Sequence, residues 1–78
     1  MQTNWILYGT EGCHLCEEAF ELFKQSAPDK LGRLEKVDIA YDNSLFEQYK
    51  FSIPVLKDSQ GRELYWPFDA QSLNEFLS

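Results

Sequence analysis

Two cysteines are too few for a disulfide-dense miniature domain, which needs several crosslinks to hold a chain as short as these 78 residues. Basic residues are scarce as well: seven Lys and Arg stand against thirteen Asp and Glu, a formal charge of −6. They are spread singly, from Lys24 and Lys30 to Lys57 and Arg62, so no positive run invites nucleic acid or an anionic membrane surface. No stretch approaches the ~20 apolar residues that span a bilayer. The N-terminus, "MQTNWILYGTEG", has neither the basic start nor the long apolar run of a secretory signal. These absences lead to the expectation of a cytoplasmic protein. In that reducing compartment a CxxC pair is catalytic or metal-binding more often than a structural staple.

What is present suits one compact domain over residues 1–78: 44% of the residues are hydrophobic and 15% aromatic, enough for a core. "NWILYG" reads as a short buried strand from Trp5 to Tyr8, closed by Gly9. From Leu15 to about Gln25 the period changes to helical, with Leu15, Cys16, Ala19, Phe20, Leu22 and Phe23 on one broad face; Pro28 sets the helix's latest end. "RLEKVDIA" supplies a second strand through Leu34, Val37 and Ile39, and a strand–helix–strand of this length makes a parallel βαβ unit.

"SLFEQYK" predicts a short helix, opened by a Ser44–Glu47 capping box and buried through Leu45, Phe46 and Tyr49. "IPVLKDSQGRELYW" predicts a hairpin, with Asp58 to Gly61 as its turn. Asp69 is placed to cap a last helix carrying Leu73, Phe76 and Leu77. The resulting order is β-α-β-α-β-β-α, an α/β fold with a four-stranded mixed sheet covered by helices.

Both cysteines lie in "GTEGCHLCEEAF", between the first strand and the first helix. A helix starting near Cys13 aims unpaired backbone N–H groups at its sulfur, and those donors with the helix dipole favour a thiolate. Cys13 is then the exposed nucleophile and Cys16, one turn on, the resolving thiol. Two other readings stay open. One is a pair of structural thiols. The other is a metal site, for which Cys13, Cys16 and His14 offer fewer than the four ligands of a usual structural zinc, unless a dimer supplies the rest. His14 is either an exposed loop residue with no role or a neighbour that acts on the pair. Its imidazolium would stabilise a Cys13 thiolate, while Glu11, Glu17 and Glu18 push the other way.

Four stretches together, "LYGTEGCHLC", "KVDI", "YKFSIPVL" and "GRELYWPFD", resemble the glutaredoxin-like branch of the thioredoxin superfamily, within it the small proteins with a CxLC active site. The likeness spans nearly the whole chain. It implies a thioredoxin/glutaredoxin-like fold and a thiol–disulfide oxidoreductase working through Cys13 and Cys16. It also implies a cis proline at Pro54 facing the dithiol, with the Ile53 backbone pairing with an extended thiol substrate. By the same likeness Tyr8 flanks the dithiol, the other reading being a core aromatic, and Asp69 matches the acidic residue that holds the glutathione amine.

The departures from better-known members are specific. His14 and Leu15 replace the usual Pro and Tyr between the cysteines. The Gly-Gly pair that helps hold glutathione is missing, and no Lys or Arg lies in the ten residues before Cys13. An acidic rim disfavours anionic glutathione as a bound partner. Trp5 is expected in the core or at the rim of the first strand, and Trp66, joined to Pro67 and Phe68 at the sheet's exit, is one candidate for lying close to the active-site groove and touching a partner. The expected activity is exchange of a Cys13–Cys16 dithiol with a disulfide-bearing protein or a small thiol. No resident cofactor is expected beyond glutathione as a reductant, and neither nucleic acid nor membrane is expected as a partner of what would be a monomer. The competing expectation is a noncatalytic thioredoxin-fold binding module, or a dimeric iron–sulfur or zinc carrier.

Overall fold

A computed structural model describes residues 3–78; Met1 and Gln2, counted within the expected domain, lie outside the described residues. The strands are β1 (Trp5–Gly9), β2 (Leu34–Asp38), β3 (Val55–Asp58) and β4 (Glu63–Tyr65), and the helices α1 (His14–Ser26), α2 (Asn43–Tyr49) and α3 (Ala70–Leu77). Short 3-10 segments, Pro28–Arg33 and Ile39–Tyr41, bracket β2. The strands form one sheet in the order β2-β1-β3-β4. β1 runs parallel to β2 and antiparallel to β3, and β3 and β4 form the hairpin. The order and mixed character expected from the sequence are those observed. No helix among the described residues is long and apolar enough to cross a membrane.

Strand alternation divides the core between two faces. Leu7 of β1 and Leu56 of β3 pack against Phe23 of α1 and Leu73 and Leu77 of α3. Their neighbours Tyr8 and Val55 pack on the other face, against Tyr49 of α2 and Ile39. Trp5 is half-buried and meets Phe23 edge-on at 6.2 Å, at the core's rim.

Three local expectations change. The short helix is capped not by Ser44 but by Asp42, whose carboxylate accepts the Leu45 N–H at 3.1 Å. Asx and Ser residues compete for the cap, and the backbone turns extended at Asp42, one step before the helical residues begin. Leu15 is 47% exposed, because it sits in the first turn of α1 where the chain has just left the sheet; the apolar face proper begins at Cys16. Phe46 is exposed too, leaving Tyr49 as the buried anchor of α2.

Candidate active site

The site grows from the end of β1. Gly9 closes the strand, Gly12 turns the loop with φ +76°, and Cys13 caps α1. The Cys13 Sγ accepts the Cys16 N–H at 3.2 Å, so the sulfur occupies the place a capping oxygen takes in other helices. The Cys13 carbonyl accepts the Glu17 N–H at 3.2 Å, and its N–H donates to the Thr10 carbonyl at 3.4 Å. Cys13 and Cys16 are joined as a disulfide with Cα atoms 5.2 Å apart. Cys13 is half-buried, less open than the exposed sulfur expected, and Cys16 is 9% exposed.

Gly9 has a part that its reading as a strand end did not reveal. A Cβ on Gly9 would stand 2.9 Å from the Cys16 Sγ and 3.1 Å from its Cβ. The missing side chain is therefore what lets the dithiol settle against the sheet. The signal available in the sequence was a glycine ending an apolar strand just before a CxxC, where close approach is one of the uses of a strand glycine.

The other expected site residues divide. Pro54 is buried, its peptide bond with Ile53 is cis, and a second cis bond joins Trp66 to Pro67. Because Tyr8 pairs with Val55, Pro54 lies at the end of the sheet from which the cysteine loop departs. The Ile53 N–H donates to the Tyr49 carbonyl at 3.1 Å, so a substrate using that donor has to displace an internal bond.

Tyr8 does not line the groove. It is 6% exposed and stacked on Tyr49 with ring centroids 4.5 Å apart, because alternation along β1 turns it to the α2 face, away from α1. His14 is 84% exposed, and its Nε2 lies 3.3 Å from a Glu18 carboxylate oxygen one turn along α1. Asp69 caps α3, accepting the Ser72 N–H at 2.8 Å, and the backbone bond from Ser72 is the main reason its carboxyl is held below the usual range.

Two open cavities flank α1. One, of about 560 Å³, reaches Cys16 from the β2 side and is lined by Gly9, Glu11, Glu17, Lys36 and Asp38 among others. The second, of about 550 Å³, runs between α1 and the start of α3, where Trp66 meets Phe68 edge-on at 5.0 Å and Asp69 stands at the rim. Trp66 is thus at the wall of a groove beside the cysteine helix. Among the described residues no three His, Cys, Asp or Glu side chains converge as ligands for one metal ion.

A residue cluster not foreseen in the sequence ties the far side together. The Glu63 carboxylate accepts hydrogen bonds from the hydroxyls of both Tyr49 and Tyr65. These bonds hold the Glu63 carboxyl below its ordinary range, while burial first, and the bond to Glu63 second, push the Tyr49 phenol up.

Comparison with known proteins gives the same architecture. The crystal structure of Northeast Structural Genomics target protein XcR50 from X. campestris is 41% identical over 94% of this chain and 93% of its own, with a TM-score of 0.83. The solution structure of that protein matches at 40% identity over 96% of this chain and 92% of its own, with a TM-score of 0.82. Protein Ne2328 from Nitrosomonas europaea, solved by NMR, is 29% identical over 100% of this chain and 94% of its own, with a TM-score of 0.79. A search of curated proteins gives no match. The model of the glutaredoxin-like domain (DUF836) matches residues 4–78, and the chain belongs to that family.

Proposed function

We propose that the protein is a thiol–disulfide oxidoreductase that exchanges its Cys13–Cys16 pair with a partner disulfide. The observation that carries the reading is Cys13 at the cap of α1, its sulfur accepting a helix N–H and lying within disulfide reach of the buried Cys16. A cap sulfur exchanges best as the thiolate, because the N–H groups and dipole that hold it favour negative charge.

The chemistry balances in two displacements. The Cys13 thiolate attacks one sulfur of the partner disulfide, whose S–S bond breaks and releases the first partner thiolate. Cys16 then gives up its proton and attacks Cys13 Sγ, releasing the second partner thiolate and closing the Cys13–Cys16 disulfide. Two electrons pass from the protein to the partner, and the released thiolates take up protons from solvent. A thiol reductant, glutathione or a thioredoxin-type protein, resets the pair.

The partner is a protein disulfide or a small thiol, and the setting a reducing, cytoplasmic compartment with the protein acting as a monomer. Support for a weak grip on glutathione comes from the carboxylates on both sides of α1 and from the missing Gly-Gly pair. Groove roles for Ile53, Pro54, Asp69 and His14 belong to the same proposal. Tyr8 is left out of it, being buried on the other face.

Single-cysteine variants test the proposal. Cys16→Ser, which keeps the nucleophile, should accumulate a mixed disulfide with a model disulfide substrate, visible as an added mass under nonreducing conditions. Cys13→Ser should form no such adduct and should lose turnover. Equal trapping by both variants, or by neither, would remove the assignment of roles.

A further inference from the structure

The groove between α1 and the start of α3 begins one residue after Cys13, with His14, and follows the helix as far as Gln25. Its wall on the α3 side is aromatic, chiefly the half-buried Trp66, backed by Phe68, which is packed into the core. Its rim is acidic: Glu17, Glu18 and Glu21 stand along α1, and Asp69 faces them from the cap of α3. Two side chains of the same helix touch this row, His14 at 3.3 Å from Glu18 and Lys24 at 3.7 Å from Glu21. The four carboxylates outnumber these two side chains, so the rim of the groove keeps a negative balance one residue along the chain from Cys13.

Aromatic faces next to carboxylates suit Lys and Arg side chains, whose stems pack on the rings while their charges meet the acids. Eleven helical rises separate His14 from Gln25, roughly 16 Å. An extended peptide covers that distance in about five residues, at roughly 3.4 Å each. The groove is therefore of a size for the residues that flank one cysteine of a partner.

Resting on the oxidoreductase reading above, we infer that this groove docks the polypeptide beside a client's disulfide and selects clients with Lys or Arg within a few residues of the reacting cysteine. Glu21 lies eight residues from Cys13, roughly 12 Å along the helix axis. A charge three or four residues from the client cysteine reaches it at roughly 3.4 Å per extended residue. The same field repels anionic thiols such as glutathione, which makes the acidic rim a filter as well as a dock.

The test uses synthetic nine-residue peptides, each a homodimer through one central cysteine, with Lys, Gln or Glu at the third and fourth positions after it. The full-length protein turns over on excess dithiothreitol, and each rate is divided by the rate of dithiothreitol alone with that peptide, which removes the effect of the charges on intrinsic thiol reactivity. The Lys peptide should be reduced about tenfold faster than the Glu peptide at low ionic strength, and the ratio should shrink in about 0.5 M salt. Glu18→Lys with Glu21→Lys should collapse or invert the order, whereas Glu47→Lys on α2, across the sheet, should retain it.

Equal normalised rates for the Lys and Glu peptides would overturn the inference while leaving the oxidoreductase reading intact. An order that survives Glu18→Lys/Glu21→Lys, or that Glu47→Lys changes as strongly, would overturn the groove as its source. If no peptide is reduced faster than by dithiothreitol alone, the oxidoreductase reading itself fails, and the inference with it.

Discussion

Gly9 and Cys16 meet at a distance that leaves no room for a side chain on the strand. A methyl group there must push the buried sulfur, the strand or the first turn of α1 aside, and forced packing of this kind costs about 1–3 kcal/mol. Gly9→Ala is thus expected to lower the urea midpoint of the disulfide form by a corresponding amount, with the slope of the transition unchanged. An unchanged midpoint would mean that the dithiol is not seated against β1 as described. The contrast with Tyr8 is instructive. The two residues are adjacent, yet alternation sends one side chain into the opposite core and leaves the other position facing the sulfur. The resemblance placed Tyr8 beside the dithiol; the strand geometry does not.

Among the elements, α2 and the hairpin depend on side chains whose partners lie across the fold or one step outside the expected boundary. Asp42 holds the start of α2, so Asp42→Ala should cost about 1 kcal/mol, the usual loss for an Asp cap, and Ser44→Ala markedly less. Paired urea denaturation curves decide between the two residues. Glu63 joins β4 to α2 through the Tyr49 hydroxyl, and this bond has a pH signature. The phenol is raised in the folded chain, by burial first and then by Glu63, above the ordinary unfolded value of about 10. Its contribution to stability is complete below that value. It is lost as pH rises beyond it, because the unfolded chain then releases a proton that the folded chain retains. Wild-type stability should therefore fall with rising pH above about 10, and Tyr49→Phe should flatten the decline. A slope unaffected by Tyr49→Phe would contradict the assignment.

For the whole molecule, the fold was legible because its signals were local and agreed with one another. The apolar run at Trp5–Tyr8, the helical spacing through Phe23, Pro28 after it, and the turn from Asp58 to Gly61 each demanded the element that is found. The paired cysteines and their place at the start of α1 were legible for the same reason. What stayed hidden depends on distances between segments far apart in the chain: the seat of Cys16 on Gly9 and the tie between Tyr49 and Glu63. Periodicity cannot report which side chain meets which across a sheet.

Whether Cys13 and Cys16 form a reversible redox pair is decided by equilibrating the metal-free protein with glutathione redox buffers, followed by acid quench and intact mass. A two-proton mass loss should titrate to a single midpoint, between about −270 mV, as in thioredoxin, and about −180 mV, as in disulfide isomerase. Little glutathione adduct should form, since the rim is acidic. An accumulating adduct would contradict the weak grip on glutathione; cysteines that remain reduced across that range would contradict the oxidoreductase itself and leave a binding or metal-carrying role in its place.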